Sequence, residues 1–428
     1  MRRAASWALG VVAAAVAVGT ALVYGQVRDA GPIEQVTLRS GSYADFRQVF
    51  VREAPAGVSV PATLRFPDQP RDRYPAVVVV HTISGFREAN EGWLAAELRR
   101  SGFATLTYDS FSARGLSQSA VVGSRAGPPL ASGVADAFAA LQFLAGHPRI
   151  AADRIGIVGF SFGGEVAHLT AFETLRVAMG AGPSRFAAHV ATYPGGTYGV
   201  RAEAGAYTGA PILMLLGEKD DNLPMAKAEG YLAYAIAAGH PAPIATVVYP
   251  GAFHAWTAPT LGAPRFYPQY VASPRKCPFI LFGRGAPTML VDGRAQPFDL
   301  DALAACQAAG SGYSMGFDAA TRTKSAADTT AFLRRHLRPW NGDRRPATTD
   351  IKGAQLRGRF DLDALPGLDL QNATPSRTPS RSTCPGPTEA PWIGSPPQPT
   401  ATSLQPTRGI ASRRAVEVLK KTGAGGGS

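Results

Sequence analysis

The sequence predicts an α/β fold: a mostly parallel, twisted sheet with helices on both faces and antiparallel strands at its N-terminal edge. Three observations predict it. The segments "IEQVTLRSG", "FRQVFVREA" and "GVSVPATLRFP" alternate apolar and polar positions, as half-buried antiparallel strands do. Beyond them, runs such as "AVVVVH" (76–81) show no alternation, the mark of strands buried on both faces. These runs are separated by stretches of helical period, which is the pattern of a parallel sheet wrapped by helices.

The elements follow in order. After "AVVVVH" comes "NEGWLAAELRRSG", whose Trp93, Leu94 and Leu98 share one helical face, with Asn90 as its expected cap and Gly102 as its end. Then come the strand "FATLTYD", the helix "VADAFAALQFLAGHP", the strand "RIGIVGF" and a helix opening near Gly163. "AAHVATYP" and "PILMLLG" read as strands, "MAKAEGYLAYAIAAGH" as a helix, "IATVVYPG" as the last strand and "SAADTTAFLRRHL" as the closing helix. In open sheets of this kind, sites form beyond the carboxyl ends of the strands.

Composition divides the 428 residues into three parts. Residues 1–30 carry Arg2 and Arg3 ahead of an apolar run from Ala4 to Tyr24, which reads as an export signal or an uncleaved membrane anchor. Either places the remainder outside the cytoplasm, periplasmic or extracellular. Residues 31–340 hold the expected folded domain, ample for a single core. Residues 341–428 lose periodicity, with nine prolines between 375 and 407 among Ser, Thr and Gln, a composition that stays disordered. The net charge of +12 is spread over all three parts, and no Lys/Arg run is interleaved with aromatics, so nucleic acid is not an expected partner.

Cys277, Cys306 and Cys384 lack the spacing of a metal or redox motif, and neither metal nor cofactor is expected. In an exported chain Cys277 and Cys306 are candidates for a disulfide; the alternative is two unrelated thiols.

Two stretches fit Gly-x-Ser-x-Gly: "GFSFGG" at 159–164 and "GYSMG" at 312–316. Ser161 stands between a strand and a helix, where a sharp turn holds a hydroxyl above the sheet. Gly159, Gly163 and Gly164 suit the close approach such a turn requires. Ser314 lies between a helix and a stretch without immediate helical pattern, and reads as part of a flexible connection. A serine nucleophile needs a base, and the base an orienting acid. His254, in the loop leaving the last strand, is the candidate base. His81 ends an earlier strand and is better placed to shape the oxyanion loop, while His168 points away on its helix. His147, His189, His240 and His336 have ordinary structural readings. "LLGEKDD" supplies Asp220 as the candidate acid and Asp221 as its reserve, the other being a solvated loop charge. Ser161, Asp220 and His254 stand in the Ser…Asp…His order of α/β-hydrolases, which Ser314 would break.

The stretches "VVVVHTISGF", "TYDSFSARG", "GFSFGGEVA", "LLGEKDD" and "YPGAFHAW" together resemble the dienelactone-hydrolase family of α/β-hydrolases, especially its exported, esterase-like members. The resemblance covers roughly residues 75 to 257. It implies hydrolysis of a small-molecule ester or lactone through an acyl-enzyme, with the backbone N–H groups of Ile83 and Phe162 as oxyanion donors. It also sets Arg114 where the family grips a substrate carboxylate; an Arg114–Asp109 pair bracing the loop is the alternative. The chain departs from the family in having Ser161 in place of a cysteine and Thr82 in place of a glutamate, which favours general esters over lactones. Residues 257–325 exceed what a strand-to-helix link needs, and form either a flap over the site or a surface elaboration. A prolyl-oligopeptidase-like peptidase and a catalytically silent binding module are the competing functions.

Overall fold

In the computed structural model, residues 31–337 are described, apart from 125–128, 202, 204, 238–243 and 272. The expected N-terminal export segment or anchor and the Pro-rich tail lie outside the described residues, as do His240 and Cys384. Among the described residues no helix is long and apolar enough to cross a membrane.

Nine strands come first along the chain: β1 (Ile33–Ser42), β2 (Ala56–Arg65), β3 (Tyr74–Val80), β4 (Ala104–Tyr108), β5 (Ile150–Phe160), β6 (Ala188–Thr192), β7 (Tyr198–Val200), β8 (Ile212–Gly217) and β9 (Ile244–Tyr249). All but β7 form one sheet in the order β1-β2-β4-β3-β5-β6-β8-β9. β1 pairs antiparallel with β2, and β2 antiparallel with β4; every later pairing is parallel. The expected fold class is therefore observed.

β3 shows why the central strands carry no polar alternation. Every residue from Tyr74 to Val80 is buried. Ala76, Val78 and Val80 pack with the helices Leu130–Gly146 and Phe162–Leu169. Val77 and Val79 face the opposite side, against Leu94 and Leu98 of the helix Trp93–Arg100 and Leu333 and Leu337 of the helix Ala319–Leu337. Burying a branched side chain of this size stabilises by roughly 1.5–3 kcal/mol. A polar residue on either face of β3 would forfeit that and lack a partner.

Two local expectations are corrected. "FRQVFVREA" was expected as a strand, but Phe46–Phe50 is helical. Asp45 caps it, Oδ1 accepting from the N–H groups of Arg47 (2.8 Å) and Gln48 (3.1 Å), and Phe46 and Val49 turn one face inward. A good cap and a three-residue apolar spacing outweigh the short alternation. Asn90 was expected to cap the next helix. Instead Glu88–Gly92 forms a π-helical turn leading into Trp93–Arg100, and Asn90 is buried, donating to Glu91 (3.0 Å) and accepting from Thr257 (2.6 Å).

The long link after β9 is folded. It contains β10 (Arg265–Tyr267), β11 (Phe279–Phe282), β12 (Thr288–Val291), β13 (Arg294–Pro297), the helix Leu300–Gly310 and β14 (Tyr313–Met315). β10 pairs antiparallel with β14, β11 to β13 form an antiparallel meander, and β11 adds in parallel to β7. A Cys277–Cys306 disulfide staples this helix to the start of the meander, so the paired alternative is the one observed. The bridge closes a loop of 29 residues. Loop-closure entropy gives such a bridge about 3 kcal/mol. Cys306→Ser is expected to lower the melting temperature by several degrees in non-reducing buffer, and reductant should do the same to the wild-type protein alone.

Candidate active site

The turn at Ser161 is built by what surrounds it. β5 ends at Phe160, the helix starts at Phe162, and Ser161 between them has φ +52°. Few residues other than glycine tolerate a positive φ, and such strain is concentrated at functional turns. The strain is held by three backbone hydrogen bonds: Ser161 N–H to Thr192 O (3.0 Å), and Ser161 O from Glu165 (2.9 Å) and Gly195 (3.1 Å). The flanking glycines are required sterically. A Cβ on Gly159 would lie 1.9 Å from the Gly163 carbonyl oxygen, and one on Gly163 would lie 2.4 Å from that of Val80.

Three strand ends converge on this hydroxyl. Ser161 Oγ lies 2.8 Å from His254 Nε2, and His254 Nδ1 lies 2.7 Å from Asp220 Oδ2. The second Asp220 oxygen accepts from the N–H groups of Asn222 (2.9 Å) and Leu223 (3.2 Å), which fixes the carboxylate plane. A carboxylate only accepts, so Nδ1 carries the proton and Nε2 presents a lone pair to the serine hydroxyl. The three side chains are buried, at 6%, 1% and 4% exposure for Ser161, His254 and Asp220. Tyr193 and Tyr313 pack edge-on against the imidazole, each at 5.1 Å. Main chain holds it too: His254 O accepts from Gly316 N–H (3.1 Å), and His254 bridges to Met315 in β14.

Asp221 and Ser314 correct two expectations. Asp221 is not a solvated loop charge, since its carboxylate accepts from Ser314 N–H (2.7 Å) and Oγ (3.3 Å). Ser314 is not in a flexible connection but in the middle of β14. The second Gly-x-Ser-x-Gly stretch thus supports the site structurally: its Tyr313 and Met315 line the cleft, and its serine ties them to the loop that carries Asp220.

The loop after β3 is held just as firmly. His81 is fully buried, and burial depresses its pKa, keeping the ring neutral. Its Nδ1 donates to Thr82 O (2.6 Å) and its Nε2 accepts from Ser110 N–H (3.0 Å). His81 therefore shapes this loop, as expected, and His168 is buried on its own helix against Phe172 and Tyr231. Glu91 completes the brace, accepting from Thr82 N–H (3.0 Å), Arg87 N–H (2.9 Å) and Asn90 Nδ2. Ile83, at the tip, lines the cleft beside Ser161, and neither the Ile83 N–H nor the Phe162 N–H has an acceptor among the described residues. Thr82 also lines the cleft, with Oγ1 accepting from Ser84 N–H (3.2 Å).

Burial pushes the Glu91 carboxyl up to about 6. Its folded pKa exceeds its unfolded one, so between pH 4.5 and 6 the folded state holds the proton longer and stability falls as pH rises. Above pH 6 the penalty is constant, at about 2 kcal/mol. Denaturation of wild type and Glu91→Gln across pH 4 to 8 should show a difference that changes only within that window. A difference independent of pH would refute the assignment.

Arg114 does not occupy the place expected from the family. It faces neither a substrate nor Asp109. All five of its donors are taken: Nε by Ser42 Oγ (2.9 Å), Nη1 by Ser110 O and Asp136 Oδ2 (both 2.8 Å), and Nη2 by Gly41 O (3.0 Å) and Asp136 Oδ1 (2.9 Å). Asp136 is fully buried, and its bidentate pairing with the guanidinium is among the strong, geometrically specific kinds of hydrogen bond. Asp109 instead accepts from the N–H groups of Phe111 (2.9 Å) and Ser112 (3.2 Å), closing the turn that carries Arg114.

Among the described residues, two spaces border Ser161. A cleft of about 400 Å³ is lined by His254, Thr82, Ile83, Asn90, Leu261 and Met315, among others. A lobe of about 50 Å³ also borders Ser161, against Val121, Val122, Phe162, Glu165, Thr197 and Pro274. Tyr270 and Tyr313 border both, their rings 5.0 Å apart. The segment 257–325 is thus divided: its β11 to β13 meander adds to β7, while Leu261, Tyr270, Pro274, Tyr313 and Met315 are wall residues of the site that sequence reasoning missed. Their only local signal was the length of the link. Among the described residues no cluster of three or more His, Cys, Asp or Glu side chains is placed to hold a metal ion.

The sheet order, the strand–turn–helix around a strained serine and the loop positions of Asp220 and His254 define an α/β-hydrolase. The profile of the dienelactone hydrolase family matches residues 60–273, and the chain belongs to that family, as a carboxylic ester hydrolase. Among solved structures it is similar to a putative dienelactone hydrolase from Klebsiella pneumoniae, at 22% identity over 54% of this chain and 90% of that one, with a TM-score of 0.39. A dienelactone hydrolase-like promiscuous phosphotriesterase from metagenomic libraries is 15% identical, over 72% of this chain and 99% of its own, with a TM-score of 0.43. An esterase from Pyrobaculum calidifontis is 18% identical, over 53% and 78%, with a TM-score of 0.35. None of the curated proteins matches the chain in sequence.

Proposed function

We propose that the chain hydrolyses carboxylic esters, lactones included, through an acyl-enzyme formed on Ser161. The observation that carries this is the unbroken hydrogen-bonded line from Ser161 Oγ through His254 to Asp220. As Oγ adds to the ester carbonyl carbon, its proton passes to His254 Nε2, and Asp220 stabilises the imidazolium without taking the proton. The carbonyl oxygen becomes an oxyanion between the N–H groups of Ile83 and Phe162, the latter at a helix N-terminus whose dipole favours negative charge. The carbon–oxygen bond to the alcohol then breaks, and the alcohol leaves with the proton from Nε2. Water repeats the sequence: Nε2 takes its proton, hydroxide adds to the acyl carbon, and Ser161 Oγ departs reprotonated, releasing the acid.

The same proposal places the protein outside the cytoplasm. Two observations support it: the basic-then-apolar stretch at 2–24 and a disulfide, which persists in oxidising compartments.

A fluorophosphonate probe tests the chemistry directly. It is expected to modify the intact protein once, with the adduct mapping to the peptide that contains Ser161, and to abolish nitrophenyl acetate hydrolysis in step. An adduct on Ser314, or none on folded protein, would sink the proposal.

A further inference from the structure

We infer that the substrates are short-acyl esters, of the size of acetate or propionate, of bulky alcohols. The inference rests on the acyl-enzyme route proposed above and specifies which half of the ester each space at Ser161 receives. The leaving alcohol must take its proton from His254 Nε2, so its oxygen lies on the imidazole side of the carbonyl carbon. Of the two spaces, it is the large cleft that His254 lines. With the carbonyl oxygen directed to the Ile83 and Phe162 N–H groups, the acyl substituent is assigned to the lobe against Phe162 and Val122.

That lobe measures about 50 Å³ and the cleft about 400 Å³. One water needs roughly 10–15 Å³ on this measure, so the lobe has room for a few non-hydrogen atoms. Its walls do not yield easily. Phe162 packs on His81 and Phe111, at 5.7 and 5.1 Å between ring centroids. Glu165 is buried, its Oε1 accepting from the N–H groups of Thr197 (3.0 Å) and Tyr198 (2.6 Å). Pro274 O accepts from Lys227 Nζ (2.8 Å), three residues before the disulfide at Cys277. An acyl chain that outgrows the lobe meets these groups on its wall side, where small-to-large intrusion into packed surroundings is unfavourable. The cleft, whose lining includes Arg87, Glu88, Pro259 and Thr260, offers about eight times the space of the lobe and suits the larger half of the ester.

The test uses the purified full-length chain and nitrophenyl acetate, butyrate and octanoate, which share one leaving group. The expected result is a kcat/KM for acetate at least about tenfold above that for octanoate. Val122→Ala enlarges the lobe without touching the hydrogen-bonded line and should raise the octanoate-to-acetate ratio several-fold; Val121→Ala serves where Val122→Ala does not fold. In parallel, 2-naphthyl acetate should be cleaved at least as efficiently as phenyl acetate. Octanoate matching or exceeding acetate, or a ratio unmoved by the folded variant, overturns the inference, while Ser161-dependent hydrolysis in the same assay leaves the proposed chemistry standing. Folded wild-type protein that cleaves no ester overturns both.

Discussion

Ser161→Ala is expected to lower kcat/KM on nitrophenyl acetate by at least about a thousandfold, roughly 4 kcal/mol of transition-state stabilisation. Alanine keeps the Cβ and hence the same strained turn, so the fold and both spaces at residue 161 remain. Only the oxygen that would bond to carbon is gone. What activity persists should come from the Ile83 and Phe162 N–H groups acting on bound substrate and water. Asp220→Asn is expected to cost a comparable factor, because an amide can donate to Nδ1 and favour the ring tautomer that cannot accept the serine proton. Asp221→Ala serves as the internal control. Asp221 touches Ser314 and not His254, so its loss should loosen β14 and cost far less. A folded Ser161→Ala protein that retains wild-type turnover would remove the nucleophile from residue 161.

The largest effect on stability is expected from Asp136→Ala. Asp136 is fully buried and supplies both oxygens to Arg114, itself only 8% exposed. Removing the carboxylate leaves a guanidinium inside the protein without a counter-charge, which typically costs about 3–5 kcal/mol. In urea denaturation the midpoint should fall sharply with little change in slope. The double variant Arg114→Met with Asp136→Leu should recover much of the loss, because no ion is then left stranded. Neither side chain lines the cleft, so activity well below the melting temperature should survive Asp136→Ala. A selective loss of activity toward carboxylate-bearing esters, with stability intact, would instead return Arg114 to the substrate.

The difference between these two sites shows what was legible in the sequence. Ser161, Asp220 and His254 each sit at a strand end, and a strand followed by glycines or acidic residues is a local signal that survives folding. The sheet edge where they meet follows from the alternation of strands and helices. Arg114 carried no such signal. Its counter-charge is 22 residues away on a helix whose apolar face is the only pattern visible, and a buried aspartate there looks in sequence like any polar helical position. The helix at Phe46–Phe50 failed for a different reason. Five residues cannot show a period, and the deciding interaction was a single capping carboxylate. For the link after β9, length predicted that something was built there. The pairing of β11 with β7 and of β14 with His254 joins positions about 60 to 80 residues apart, contacts that intrachain spacing does not record.

The bridge from His254 to Met315 ties the wall of the cleft to the main chain that carries the imidazole. Met315 lines the cleft and its strand also steadies His254, the proposed general base, so trimming or grafting that segment to admit new esters should disturb turnover along with preference. Laboratory evolution of this scaffold should then accumulate its useful changes at wall positions such as Val121 and Val122, and leave the ribbon beside the imidazole untouched.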